Sequence, residues 1–116
     1  MARRMSFALT EEQLLDGSKT VTRRLGWRSL KPGEEIQAVR KCMGLRKGEK
    51  QVLLCRIRVV SVRREPLFSM LAGDCAAEGL PNMTPSAFVT FFCGANGCRP
   101  ETEITRIEFR RVEGGP

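Results

Sequence analysis

Apolar and polar residues alternate with a period of two along two long stretches. Across residues 52–64, Cys55, Ile57 and Val59 alternate with Arg56 and Arg58. This predicts a strand with one buried and one cationic face. The phase slips at Val59-Val60, as a β-bulge would make it. Across residues 102–112, Ile107 and Phe109 alternate with Arg106, Glu108 and Arg110, which predicts a closing strand. Shorter strands are expected at 5–8 and 35–40, and an extended stretch at 19–24, where Thr20 and Val21 are β-branched.

Helix signals punctuate these strands. Thr10-Glu11-Glu12-Gln13 has the form of a capping box, Leu14 and Leu15 supply an apolar side, and Gly17 is a natural stop. A short helix is expected at 65–71, with Pro66 in its first turn. Thr84-Pro85 opens another, with Phe88, Val89, Phe91 and Phe92 as its apolar stripe. Residues 25–33 read as a loop closing on Lys31-Pro32-Gly33, 44–50 as a basic connection, 93–98 as a turn and 114–116 as a loose tail. Without repeats or linkers, residues 1–116 are expected to form one small α+β domain or a partly closed barrel.

Composition narrows the chemistry. The chain carries 20 Lys+Arg against 13 Asp+Glu, a net charge of +7. Most of the cations are Arg, whose planar fork suits phosphate and stacks on bases. A nucleic-acid or nucleotide partner is therefore expected. No apolar run is long enough to span a bilayer, and the basic Met1-Ala2-Arg3-Arg4 start lacks the apolar core of a signal peptide, so a cytoplasmic protein without membrane contact is expected. The five cysteines are scattered, which argues against a disulfide framework. There is no histidine. That excludes Ser-His-Asp, Cys-His and His-based zinc chemistry, and leaves Lys, Glu, Asp, Thr, Ser or Cys for any catalysis. Cys93 and Cys98 make half a metal site at most, so no metal and no cofactor is expected. Core packing is the reading for Cys55 and Cys93, and a free thiol for Cys98.

The densest chemistry lies at Lys19-Thr20-Val21-Thr22-Arg23-Arg24, with Trp27 just beyond. A desolvated Lys19 can serve as a base, because burial and nearby cations depress its pKa. Thr22 then becomes a possible nucleophile, and Arg23 and Arg24 can hold a phosphate or an oxyanion. Residues three apart on a flat strand point to opposite faces, so Lys19 and Thr22 converge only if the chain bends. An exposed cationic strand is the competing reading of the same residues. Glu78, in Ala-Ala-Glu-Gly, is a carboxylate in apolar company and a possible proton shuttle, with Asp74 as its competitor. Trp27 either stacks on a base or caps the core. Arg56, Arg58, Arg63 and Arg64 form a strand face that could track a phosphate backbone.

Four segments together resemble the ASCH domain family of the PUA-like superfamily. They are Leu-Leu-Asp-Gly-Ser-Lys-Thr-Val-Thr-Arg-Arg, Leu-Lys-Pro-Gly-Glu, the Glu78-Gly79 region, and Ile104-Thr105-Arg106-Ile107-Glu108-Phe109. The wording is most like small stand-alone bacterial and phage members. The resemblance implies a β-barrel of five or six strands with short flanking helices and a basic cleft that binds RNA, a nucleotide or a modified nucleoside. One branch hydrolyses N4-acetylcytidine with a Lys, a Thr and a Glu, which fall here on Lys19, Thr22 and Glu78. Thr20, Arg23, Arg24, Trp27, Arg56 and Arg58 would contact the nucleotide or nucleic acid. Arg23 departs from that branch, which carries an apolar residue there. A ribonuclease branch uses a Tyr, and this chain has none.

Overall fold

The structure, a computed structural model, describes residues 3–41 and 45–112. Cys42, the start of the 44–50 connection and the 114–116 tail lie outside the described residues. The elements run β1 (Arg3–Ser6), α1 (Glu11–Asp16), β2 (Val21–Arg24), β3 (Glu35–Val39), β4 (Leu53–Pro66), α2 (Ala72–Ala77), α3 (Pro85–Asn96) and β5 (Glu103–Arg111).

Among the described residues, five strands form one sheet in the order β1-β3-β4-β5-β2, and only β1 and β3 pair in parallel. The 14-residue β4 is the spine: its first half pairs with β3 and its second with β5. The expected bulge is present, as a register shift between Val59 and Ser61 that leaves Val60 unpaired on β4. A bulge bends its strand and raises the local twist, and the sheet curls into a half-barrel. Strands β1 and β2 are its two open edges.

Period-two patterning fills both sides of this sheet. The concave face holds Met5, Phe7, Leu14, Ile36, Ile57, Val59, Ile107 and Phe109, with Phe7 and Phe109 edge to face at 5.8 Å. A second cluster, Leu67, Met70, Cys75, Phe88, Phe92 and Ile104, lies under α2 and α3. Ile104 and Ile107 sit three apart on β5, so the strand serves both clusters from opposite faces. Burying each such side chain stabilises the fold by about 1.5–3 kcal/mol.

Helix α3 forms as its sequence predicts: Pro85 occupies the first turn and Thr84 Oγ1 accepts from Ala87 N at 3.1 Å. It runs on to Asn96, through residues expected to turn, and Gly97 ends it in the left-handed region at φ 65°. The expected capping box at α1 does not form: Thr10 makes no side-chain cap bond. The expected helix at 65–71 shrinks to a single 3-10 turn at Leu67–Ser69, because β4 continues through Pro66 to pair with Glu103. Among the described residues, no helix is long and apolar enough to cross a membrane.

Candidate active site

The segment after α1 carries the bend that Lys19 and Thr22 require. Gly17 turns the chain at φ 85°, Lys19 N donates to Gln13 O, and Thr20 N donates to Ala77 O. Strand β2 begins only at Val21. Lys19 therefore lies outside the alternation that would have opposed it to Thr22. Both side chains line the same cleft, about 740 Å³ in volume, at the open edge of β2.

Lys19, Thr22, Arg23 and Glu78 are all buried, each at most 5% exposed. Glu78 lies at the C-terminal end of α2 and is far from alone. Lys19 Nζ donates to its carboxylate at 2.9 Å and to its backbone carbonyl at 2.8 Å. Arg23 Nη1 donates to its other oxygen at 3.0 Å. The sequence puts Glu78 among apolar neighbours. Its spatial neighbours are two cations, 55 and 59 residues away along the chain. Arg23 also meets Asp74 at 3.3 Å and Glu65 at 3.7 Å, while its Nε has no hydrogen-bond partner among the described residues. Burial pushes the Lys19 amine below the ordinary lysine range; Glu78 opposes this, and Arg24 and Arg23 add to it.

Gly79 makes the close approach possible. It sits at φ +88°, and a Cβ there would fall 2.8 Å from Gln13 Cβ and 3.2 Å from Lys19 Cβ. Glycine both reaches that backbone conformation and leaves room for Lys19.

Thr22 lies on the concave side, where Arg24 Nε donates to its hydroxyl at 3.0 Å. Arg24 Nη2 also donates to Ser6 O at 2.6 Å. Since β1 ends at Ser6 and β2 at Arg24, this bond spans the mouth of the half-barrel. The cleft walls are apolar and largely aromatic, from Phe7, Trp27, Leu80, Phe88, Phe91 and Phe92. Trp27 is half-buried against the concave core, with the Arg3 guanidinium 4.9 Å from its ring centroid. Its φ of 53° is unusual for a residue with a Cβ.

The remaining sequence-predicted residues lie elsewhere. Thr20 and Arg58 line a different hollow. Arg56 and Arg58 share Glu35, at 3.5 and 2.7 Å. Arg63 pairs with Glu65 at 2.6 Å and Arg64 with Glu103 at 2.8 Å. The strand face that read as a cationic track is thus laced with carboxylates. Among the described residues, no group of three or more His, Cys, Asp or Glu could hold a metal ion.

No family model matches the chain, and no curated protein sequence matches it. Solved structures do. A DUF984 protein from Enterococcus faecalis V583 superposes with a TM-score of 0.68 at 17% identity, over 97% of this chain and 80% of its own. A hypothetical protein, PH0355, gives 0.69 at 19%, over 97% of this chain and 100% of its own. An ASCH domain from Lactobacillus crispatus JV V101 gives 0.64 at 18%, over 94% of this chain and 78% of its own. The fold is ASCH-like. In this ASCH-like frame the cleft gathers Lys19, Thr22, Arg23, Arg24, Trp27 and Glu78. Sequence reading missed Glu65, which reaches Arg23 only because β4 runs past its expected end, and the phenylalanines of α3 as cleft walls.

Proposed function

We propose that the cleft binds a nucleoside, free or within RNA, and hydrolyses the amide of an N4-acylated cytidine. One observation carries this reading. A buried amine, a hydroxyl and a carboxylate line a single cleft whose walls suit a flat heteroaromatic ring.

The chemistry divides among the residues as follows. Lys19, in its neutral form, takes the Thr22 proton as Thr22 Oγ1 bonds to the acyl carbon. The depressed pKa of Lys19 makes that form more accessible than on a surface lysine. Arg24, already 3.0 Å from Thr22 Oγ1, stabilises the negative charge that develops on the acyl carbonyl oxygen. The C–N bond then breaks. The leaving amine receives the proton from the Lys19 ammonium, relayed by Glu78, 2.9 Å away. Water attacks the Thr22 ester with Lys19 again as base, releasing the acid and restoring the hydroxyl.

The test is turnover of N4-acetylcytidine to cytidine and acetate, followed by chromatography. Lys19→Ala and Thr22→Ala are expected to lose about 10²–10⁴-fold in rate, and Thr22→Ser to retain measurable turnover. A Lys19→Ala protein as fast as wild type would remove the proposal.

A second reading, binding without turnover, is favoured by how Lys19 spends its hydrogen bonds: they go to Glu78, and Thr22 accepts from Arg24. Saturable nucleoside binding by calorimetry, with no product from any acylated nucleoside, would select it.

A further inference from the structure

The second hollow, about 750 Å³, opens where β5 outruns its neighbour. Strand β2 covers β5 only as far as Val21 opposite Glu108, and Thr20 O takes one last bond from Phe109 N. Before Thr20 the chain turns off through Lys19 to Gly17, so among the described residues the edge of β5 beyond Phe109 has no strand beside it. Hydrogen-bonding direction alternates along an antiparallel strand. Phe109 N points toward β2 and Val112 N toward β4. The Arg111 amide therefore faces the uncovered side, into the hollow.

Guanidiniums crowd the same place. Arg58 and Arg110 stand directly opposite each other in the β4–β5 register, and Arg111 lines the hollow beside them. Like charges directly opposite in an antiparallel pair destabilise a sheet. The compensation is partial. Glu35 is the one carboxylate paired with both Arg56 and Arg58, and no ion pair holds Arg110 among the described residues. Asp16, the acid on the rim, is committed to Ser18 N at 2.7 Å. Arg111 is anchored by donating to Leu15 O. The exposed Thr20 hydroxyl completes the lining.

We propose that this hollow is a phosphate site that grips the backbone of a single-stranded nucleic acid, next to the cleft, with which it shares the buried Lys19 in its lining. The Arg58 and Arg110 guanidiniums, the Arg111 backbone N–H and the Thr20 hydroxyl are the kinds of donor that phosphodiester oxygens take from proteins. Phe109 is the one aromatic residue of the lining among the described residues, which is no stacking platform for successive bases, so the hollow reads backbone and leaves bases to the cleft. It stands whether or not the cleft hydrolyses anything.

The experiment uses the full chain and a fluorescent single-stranded RNA oligomer, with affinity measured by anisotropy across a salt series. Each lost phosphate contact should flatten the log K against log salt slope by about 0.7. Arg110→Ala should weaken binding several-fold with that flattening, and Arg110→Glu should weaken it further. Glu35→Gln should tighten binding, because it frees Arg56 and Arg58. An abasic phosphodiester oligomer should show the same three responses. Unchanged affinity and slope in all three variants, with melting temperatures like wild type, would overturn the site. So would a loss of affinity without any change of slope.

Discussion

Two arginine doublets, Arg23-Arg24 on β2 and Arg63-Arg64 on β4, occupy the same two rows of the sheet. Arg23 and Arg63 both stand opposite Arg106 on β5, and Arg24 and Arg64 both stand opposite Thr105. Letters and register are the same, yet the side chain of Arg63 is 61% exposed and that of Arg23 is 0%. The difference is what lies above them. Helix α2 ends against Arg23 and brings Asp74 and Glu78 with it, whereas the partner of Arg63 is Glu65 on its own strand. A guanidinium under a helix becomes a desolvated counter-charge whose loss strands a buried acid. One at the surface makes an ion pair that water and salt nearly cancel.

The sharpest way to break this contrast is to remove each arginine in turn. Arg23→Met leaves the buried Glu78 with Lys19 alone and takes from Asp74 its guanidinium, and should cost about 3–5 kcal/mol in urea denaturation. Equal losses for Arg23→Met and Arg63→Met would show that the cover of α2 is irrelevant.

Gly79→Ala comes next, at about 1–3 kcal/mol for a side chain forced into the left-handed region. Its contact with Lys19 adds a distinguishing mark: cleft function should fall more than the melting temperature implies.

The third test is pH. Lys19 has a folded pKa below its ordinary value of 10.5. Between the two values the unfolded chain holds more protons than the folded one at this residue. Stability from Lys19 therefore rises with pH across that window. The wild-type curve should rise relative to that of Lys19→Met as pH approaches 10.5, and parallel curves would contradict the burial of an ionisable amine.

The smallest effect belongs to Arg63→Met, at about 0–1 kcal/mol and shrinking with salt.

The long strands were legible because alternation is a local signal. Strand β4 announced itself through Cys55, Ile57 and Val59, and even its bulge showed as a slip of phase. Helix α3 was legible from Thr84-Pro85, since a cap and a first-turn proline are chemistry within four residues. Helix α2 was not. Ala-Gly-Asp-Cys-Ala-Ala has no apolar stripe, and only Cys75 among its residues is buried. Tertiary packing holds such a helix in place, and propensity contributes little. The same limit hid the setting of Glu78. Its sequence neighbours are small and apolar, while the cations that define it come from a different part of the chain. Lys19 and Thr22 stood out as residue types, but their shared cleft depended on the strand starting two residues after the lysine.

The acid and the pair it faces arrive from two separately packed halves. Lys19 and Thr22 come from the segment beside the half-barrel, whereas Glu78 comes from the end of a helix seated on the α3 cluster. The cleft is a seam. Repacking Leu67 or Met70 moves only one bank of it, so a core substitution remote from the nucleophile can detune the pocket by tilting the acid alone.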